Sequence, residues 1–186
     1  MLTTLSTVKN RLAVAPGDTT FDILLSNAIL AVSSRFDHET HRTLARTENA
    51  THEFDPLDTQ ILVPSYPIES VAKFELKSTE SEGWQEQTDI QYIIRRSCII
   101  SITSPFSLQP LAFSLCRVTY TGGYVLPGTA HSPGQTPLPA DLESAAVEQV
   151  AHWFQTRDYL GLKTSWPSGG TWHSIAPSRQ HHAQTV

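Results

Sequence analysis

One run near the C-terminal end limits the fold more than any other. Val118-Thr119-Tyr120-Thr121 reads as a strand, and Gly122-Gly123 interrupts it before Tyr124. A loop rich in Pro, Gly, Ser and Thr follows over 129–137, and a helical pattern then opens at Leu138-Pro139-Ala140-Asp141. Leu142, Ala146, Val150, Trp153 and Phe154 recur at helical spacing and define one apolar face. Pro139 suits a first helical turn, where its missing N–H is not needed, and Asp141 and Glu143 complement the positive end of the helix dipole. Gly161 is a fitting stop. A strand feeding a long helix across a tight glycine turn requires a mixed α+β fold.

Upstream of this run the pattern is helical and then β. Leu5, Val8 and Leu12 predict a first helix over about 4–14, stopped by Pro16-Gly17. Asp18 is a good N-cap for a second helix over about 18–37. Phe21, Leu24, Leu25, Ala28, Val32 and Phe36 form its apolar face, and Ile23, Leu30 and Ala31 widen it. A helix this broadly apolar packs on two sides. The second side meets either a neighbouring subunit or more of the same domain.

From about 43 to 124 short apolar runs are separated by Pro64, Pro67, Gly83, Pro105 and Pro110, as in short antiparallel strands. Strand candidates are 42–54, 60–63, 71–76, 90–94, 98–102 and 113–120. In the last, Cys116, Val118 and Tyr120 alternate with Leu115, Arg117, Thr119 and Thr121, giving two differently packed faces. The expected architecture is a small helical body, two N-terminal helices and a long one over 139–160, carrying an antiparallel β insertion. A domain over 1–163 would be followed by a flexible tail over 164–186, where Pro167, Gly169, Gly170 and Pro177 allow no periodicity.

No motif points to a reaction. His38-Glu39-Thr40-His41 spaces its histidines three apart, one short of the zinc-protease helix, and no CxxC pair is present. No G-x-S-x-G elbow, phosphate-binding loop or dinucleotide fingerprint occurs. Catalytic residues, metal ligands and cofactors are therefore all expected to be none. Cys98 and Cys116 read as buried thiols, and their spacing alone leaves a disulfide as the alternative. A formal net charge of −5 argues against a general nucleic-acid binder. No apolar stretch is long enough to span a bilayer, and no basic segment precedes an apolar run at the N-terminus.

Aromatic residues crowd the end of the chain: Trp153, Phe154, Tyr159, Trp166 and Trp172. Trp153 and Phe154 read as core. Trp166 and Trp172 lie in a segment that does not fold alone, so a partner covers them or they fold back onto their own domain.

The strand-and-turn "VTYTGGY" followed by the helix "LPADLESAAVEQVAHWFQTRD" resembles the head–tail connector (adaptor, head-completion) proteins of tailed bacteriophages. So do the opening Leu2-Thr3-Thr4-Leu5-Ser6-Thr7-Val8-Lys9 and the segment Leu62-Val63-Pro64-Ser65-Tyr66-Pro67-Ile68-Glu69-Ser70-Val71. Together these segments are distributed over about residues 2–161. The family's arginine after a Thr-Gly pair at the end of the second helix is only approximated, by Ser33-Ser34-Arg35-Phe36 and His41-Arg42.

The resemblance implies a structural virion protein, not an enzyme, located at the head–tail interface and assembled in the host cytoplasm. Its copies would form a homo-oligomeric ring matching the symmetry of the portal protein, which it binds. The ring would prolong the DNA channel and receive a stopper or tail-completion protein, with DNA passing non-specifically and no membrane involved. The interface candidates are Ile23, Leu30, Arg157, Tyr159, Trp166 and Trp172. Alternatives are a tail-completion protein or, from another class, a small hydrolase or metal enzyme. Ring assembly or portal-dependent association would favour the connector, and a metal-bearing monomer the enzyme.

Overall fold

The computed structural model describes residues 1–104 and 114–157. Within them three helices and two antiparallel sheets form a mixed α+β fold. The expected helices are present with shifted ends. Helix α1 spans Leu5–Arg11, with Thr4 as N-cap accepting a hydrogen bond from the Thr7 N–H. It stops earlier than expected because Ala13 takes a left-handed φ of 56° and the chain turns back, the Val14 N–H donating to the Lys9 carbonyl.

Helix α2 spans Asp22–Thr40, starting and ending later than expected. Asp18 does not cap it. Its carboxylate accepts from the Thr20 N–H at 2.9 Å, closing a turn before the helix, and hydrogen bonding by the Thr20 side chain and then by this N–H holds its pKa below the usual value. At the other end His41 adopts φ 51°, and the Arg42 N–H closes on the Asp37 carbonyl at 3.0 Å. Helix α3 spans Ala140–Thr156 directly after Pro139, with Asp141 and Glu143 in its first turn. Its expected extension to residue 160 and the stop at Gly161 lie outside the described residues.

The helices pack around Leu25, Ile29 and Val32 of α2, Val8 of α1 and Ala146 and Val150 of α3. The i, i+4, i+7 spacing on α2 is the stripe that pays for this packing, each fully buried aliphatic side chain contributing about 1.5–3 kcal/mol. One neighbour departs from the expected core: Leu24 is 47% exposed, whereas Leu25 is fully buried. Phe154, also expected in the core, is half-buried and meets Phe21 edge-on at 5.2 Å.

The β region is larger than an insertion and has its own core. Strands β1 (Thr47–Phe54), β7 (Leu115–Gly122), β3 (Ile68–Lys77) and β4 (Gln85–Gln87) form one sheet in the order β1-β7-β3-β4. Strands β2 (Gln60–Leu62), β6 (Ile99–Ile102) and β5 (Tyr92–Arg95) form another, in the order β2-β6-β5. Strand β4 escaped sequence reading because Gln85-Glu86-Gln87 carries no apolar residue. Cys116, Val118 and Tyr120 of β7 are fully buried in one cluster with Ile61 and Ile100 of the smaller sheet and with Val63, which follows β2. Cys98 and Cys116 are free thiols, Cys98 half-buried, and burial pushes the Cys116 thiol up to about 12.

The two cores meet where the quoted motifs converge. Gly122 lies so close to the chain at Ser65 that a Cβ there would overlap the Ser65 carbonyl oxygen. Gly123, at φ 106°, approaches Ala45, and its N–H donates to the Pro67 carbonyl at 2.9 Å. Arg42 donates to the Tyr66 carbonyl at 2.8 Å and lies over the Tyr66 ring at 3.3 Å. Arg46 donates in a fork to Glu69, with contacts of 2.9–3.0 Å. The glycine turn, the "YPI" segment and the chain after α2 are thus one hydrogen-bonded junction.

Candidate interaction surface

Helix α2 is apolar on both sides, and only one side is covered among the described residues. Turned away from the Leu25–Ile29–Val32 stripe are Ile23 at 81% exposure, Leu24 at 47% and Leu30 at 51%. Ile23 and Leu30 are seven positions apart and so share one edge of the helix. Leu24, Ala28 and Ala31 repeat at i, i+4 and i+7 on the adjoining strip. Small alanines there leave room, and α3 supplies Trp153 and Phe154 across it. The result is an open groove of about 460 Å³ lined by these side chains, with Asn27 and Arg157 as its polar members.

Arg157 terminates α3 at the mouth of this groove. Its guanidinium donates to the Phe154 carbonyl at 2.7 Å and lies over the Phe154 ring at 4.1 Å and the Phe21 ring at 5.3 Å. A cation bound to a terminal carbonyl complements the negative end of the helix dipole. Of the six candidate interface residues, Ile23, Leu30 and Arg157 are placed on or beside the two helices that form the groove. Tyr159, Trp166 and Trp172 lie outside the described residues. Leu24, Trp153 and Phe154 read as core in the sequence, yet they line the groove. The available signal was the second i, i+4, i+7 repeat on α2, one position ahead of the buried one.

Among the described residues no group of three or more His, Cys, Asp or Glu side chains could hold a metal ion. His38 and His41 are exposed, their rings 6.3 Å apart. Glu75 on β3, the most buried carboxylate among the described residues, is taken up by Lys73 at 2.9 Å and by Arg117 at 2.8 Å, and Arg117 in turn lies 4.1 Å over the Trp84 ring. Burial works to raise the Glu75 pKa, but its two cationic partners outweigh that and hold it below the usual value. Such a mutually satisfied cluster braces a sheet face and leaves no open valence for a ligand. Among the described residues no helix is long and apolar enough to cross a membrane.

No family model and no curated protein sequence matches the chain. Solved structures do resemble it. A chain from the neck of an empty GTA (gene transfer agent) particle, computed with C6 symmetry, aligns with a TM-score of 0.57 and 12% identity, over 89% of this chain and 81% of that one. A chain from the neck of a native GTA particle, computed with C12 symmetry, aligns with a TM-score of 0.54 and 12% identity, over 82% of this chain and 76% of that one. The fold is shared along most of both lengths.

Proposed function

We propose that this chain is a structural, non-enzymatic subunit of the connector between head and tail of a phage-like particle, working as a ring of copies. The observation that carries the reading is the outer apolar strip of α2, with Ile23 81% exposed on a rigid helix. A single large aliphatic side chain in water is ordinary, but three on one helix, Ile23, Leu24 and Leu30, mark an interaction surface. A ring supplies the cover, because each copy presents the same strip to its neighbour through a repeated head-to-tail contact. The fold shared with chains from particle necks of C6 and C12 symmetry supports this geometry.

In this reading Ile23 and Leu30 belong to the contact between copies, and Arg157, Tyr159, Trp166 and Trp172 to contacts with neighbours or with the portal protein. The ring would lie between the portal and a stopper or tail-completion protein. A formal net charge of −5 suits a channel through which DNA slides, since a basic lining would hold its phosphates.

The test is to assemble particles with the double variant Ile23→Glu/Leu30→Glu and image the portal vertex by cryo-EM. The expected result is a folded variant, by circular dichroism, that leaves no ring density below the portal. Particles carrying the variant ring at full occupancy would overturn the assignment of this strip.

A further inference from the structure

We propose that the outer face of the smaller sheet, with the arginine turn at its end, is the second half of the contact between copies and receives the α2 strip of a neighbouring copy. This contact presupposes the ring of the connector reading and supplies its missing surface. A head-to-tail contact joins two different patches of one chain, so a copy that offers the α2 strip must also carry a patch that takes it. Ile61, Ile100 and Ile94 pair across β2-β6-β5 and pack into the β core. Side chains alternate along a strand, so Leu62, Ile99, Arg95 and Ile93 lie on the opposite face. Leu62 is 62% exposed there and Ile93 52%.

Size and charge both fit. Leu62 and Ile93 stand two strands and two residues apart, about 12 Å, and Ile23 and Leu30 are about 10 Å apart along α2. The sheet face ends in the turn Arg95-Arg96-Ser97-Cys98, closed by the Cys98 N–H on the Arg95 carbonyl. Arg96 at φ 51° and Ser97 at φ 57° are both left-handed, in places that Asn and Gly usually fill. Two outside contacts hold the turn: the Ile68 N–H donates to the Ser97 carbonyl at 2.7 Å, and the Val63 N–H to the Cys98 carbonyl at 3.2 Å. Arg95 and Arg96 are thus exposed on a fixed backbone. Every other described lysine and arginine has an ion pair or a carbonyl partner within its own chain, and these two have none. Beside the α2 strip the free charge is opposite. Asp18, five positions before Ile23, is exposed, and its carboxylate bonds to Thr20 and not to a cation. An apolar strip with an acidic end therefore meets an apolar face with a basic end, and the charges set which way a copy docks.

The experiment uses the full chain in assembled particles. Ile23→Cys and Leu62→Cys are combined in a Cys98→Ser background, where the remaining thiol, Cys116, is buried. A flexible bismaleimide is added, and the products are separated on denaturing gels. The expected result is a ladder of covalent multimers, absent when Glu82→Cys, at an exposed position between β3 and β4, replaces Leu62→Cys. An equal ladder from the Glu82 pair overturns the contact. The same particles and wild-type ones are imaged by cryo-EM. A ring without a ladder overturns this contact alone, whereas wild-type particles without a ring overturn the connector reading and this contact with it. A second variant, Arg95→Glu/Arg96→Glu, alters side chains that make no contact in their own chain and is expected to abolish the ring. Variant particles that keep the ring at full occupancy overturn the proposal, and if they lose packaged DNA the arginines meet phosphate instead.

Discussion

The hydroxyl of Tyr120 accepts a hydrogen bond from the backbone N–H of Ser65 at 3.1 Å, joining positions 55 apart in the chain inside the β core. Tyr120 is fully buried on the central strand β7, and Ser65 begins the turn that returns the chain to β3. One phenol therefore fills core volume and satisfies a backbone donor that water does not reach. The ring explains why an aromatic residue stands here, and the hydroxyl why it is tyrosine.

Replacing only that oxygen separates the two roles. Tyr120→Phe keeps the packing and leaves the Ser65 N–H without its partner, which costs about 1–3 kcal/mol for a buried donor. Urea unfolding of the variant should show the midpoint falling with an unchanged slope. An unchanged midpoint would mean that another acceptor takes the N–H.

Two glycines with positive φ should respond very differently to alanine. At Gly123, φ is 106° and an added Cβ would meet the Ala45 carbonyl oxygen at 2.6 Å, backbone against backbone. At Gly83, φ is 68° and nothing lies within 4 Å. Gly83→Ala should cost about 1–2 kcal/mol, the penalty of a left-handed alanine. Gly123→Ala must also push apart the junction between the two cores, and its expected outcome is insoluble or unfolded protein. Expression yield and thermal melts of the pair check this, and equal melting temperatures would contradict it.

Parts of this fold were legible because one physical signal dominated. On β7 the alternation of Cys116, Val118 and Tyr120 has the period of a strand buried on one face, and all three are fully buried. On α3 a proline, two acidic residues and an apolar stripe agreed on where the helix begins. Elsewhere two signals competed. Leu24 and Leu25 are chemically identical neighbours on a helix with two apolar strips, and only the position of α3 decides which one is buried. Asp18 has the right chemistry for a helix cap, but a local turn through Thr20 claimed its carboxylate.

The candidate interaction surface was half legible for the same reason. Ile23 and Leu30 stood out as widening an apolar face, a property of α2 alone. The groove was hidden because it needs the spacing of two helices, with Ala28 and Ala31 leaving room beneath Trp153 and Phe154. Charge pairing was hidden too. Glu75 and Arg117 are 42 positions apart and meet only through the register of β3 with β7.

That pairing makes stability depend on pH in a defined direction. The folded pKa of Glu75 lies below its ordinary value of 4.5, so the unfolded chain takes up a proton first as acid is added. The contribution is fully present above pH 4.5 and is lost as the pH falls through the lower, folded value. The difference in unfolding free energy between the wild type and Glu75→Gln should therefore be constant near neutrality and shrink in acid. Urea midpoints of both proteins over an acid-to-neutral series measure it. A difference that stays constant down to the acid limit would assign the effect of the variant to packing.

The last prediction concerns Lys9, which is 5% exposed although it carries a charge. Its ammonium donates to the Asp18 carbonyl at 2.8 Å and pairs with the Asp22 carboxylate at 2.5 Å, tying α1 to the entry of α2. Helix α2 has no side-chain cap at its N-terminus, so this contact adds to the backbone turns over residues 15–22 in holding its entry. Lys9→Met keeps the aliphatic stem but leaves Asp22 without its counter-charge and the Asp18 carbonyl without a donor. Breaking one side of a well-buried pair costs about 3–5 kcal/mol, and the partial exposure of Asp22 places the expected loss at the low end of that range. Asp22→Asn in the same chain removes the stranded charge, so the double variant should be more stable than Lys9→Met alone, a coupling that a double-mutant cycle reads directly. If the two losses simply add, Lys9 acts through its carbonyl contacts and the ion pair carries no weight.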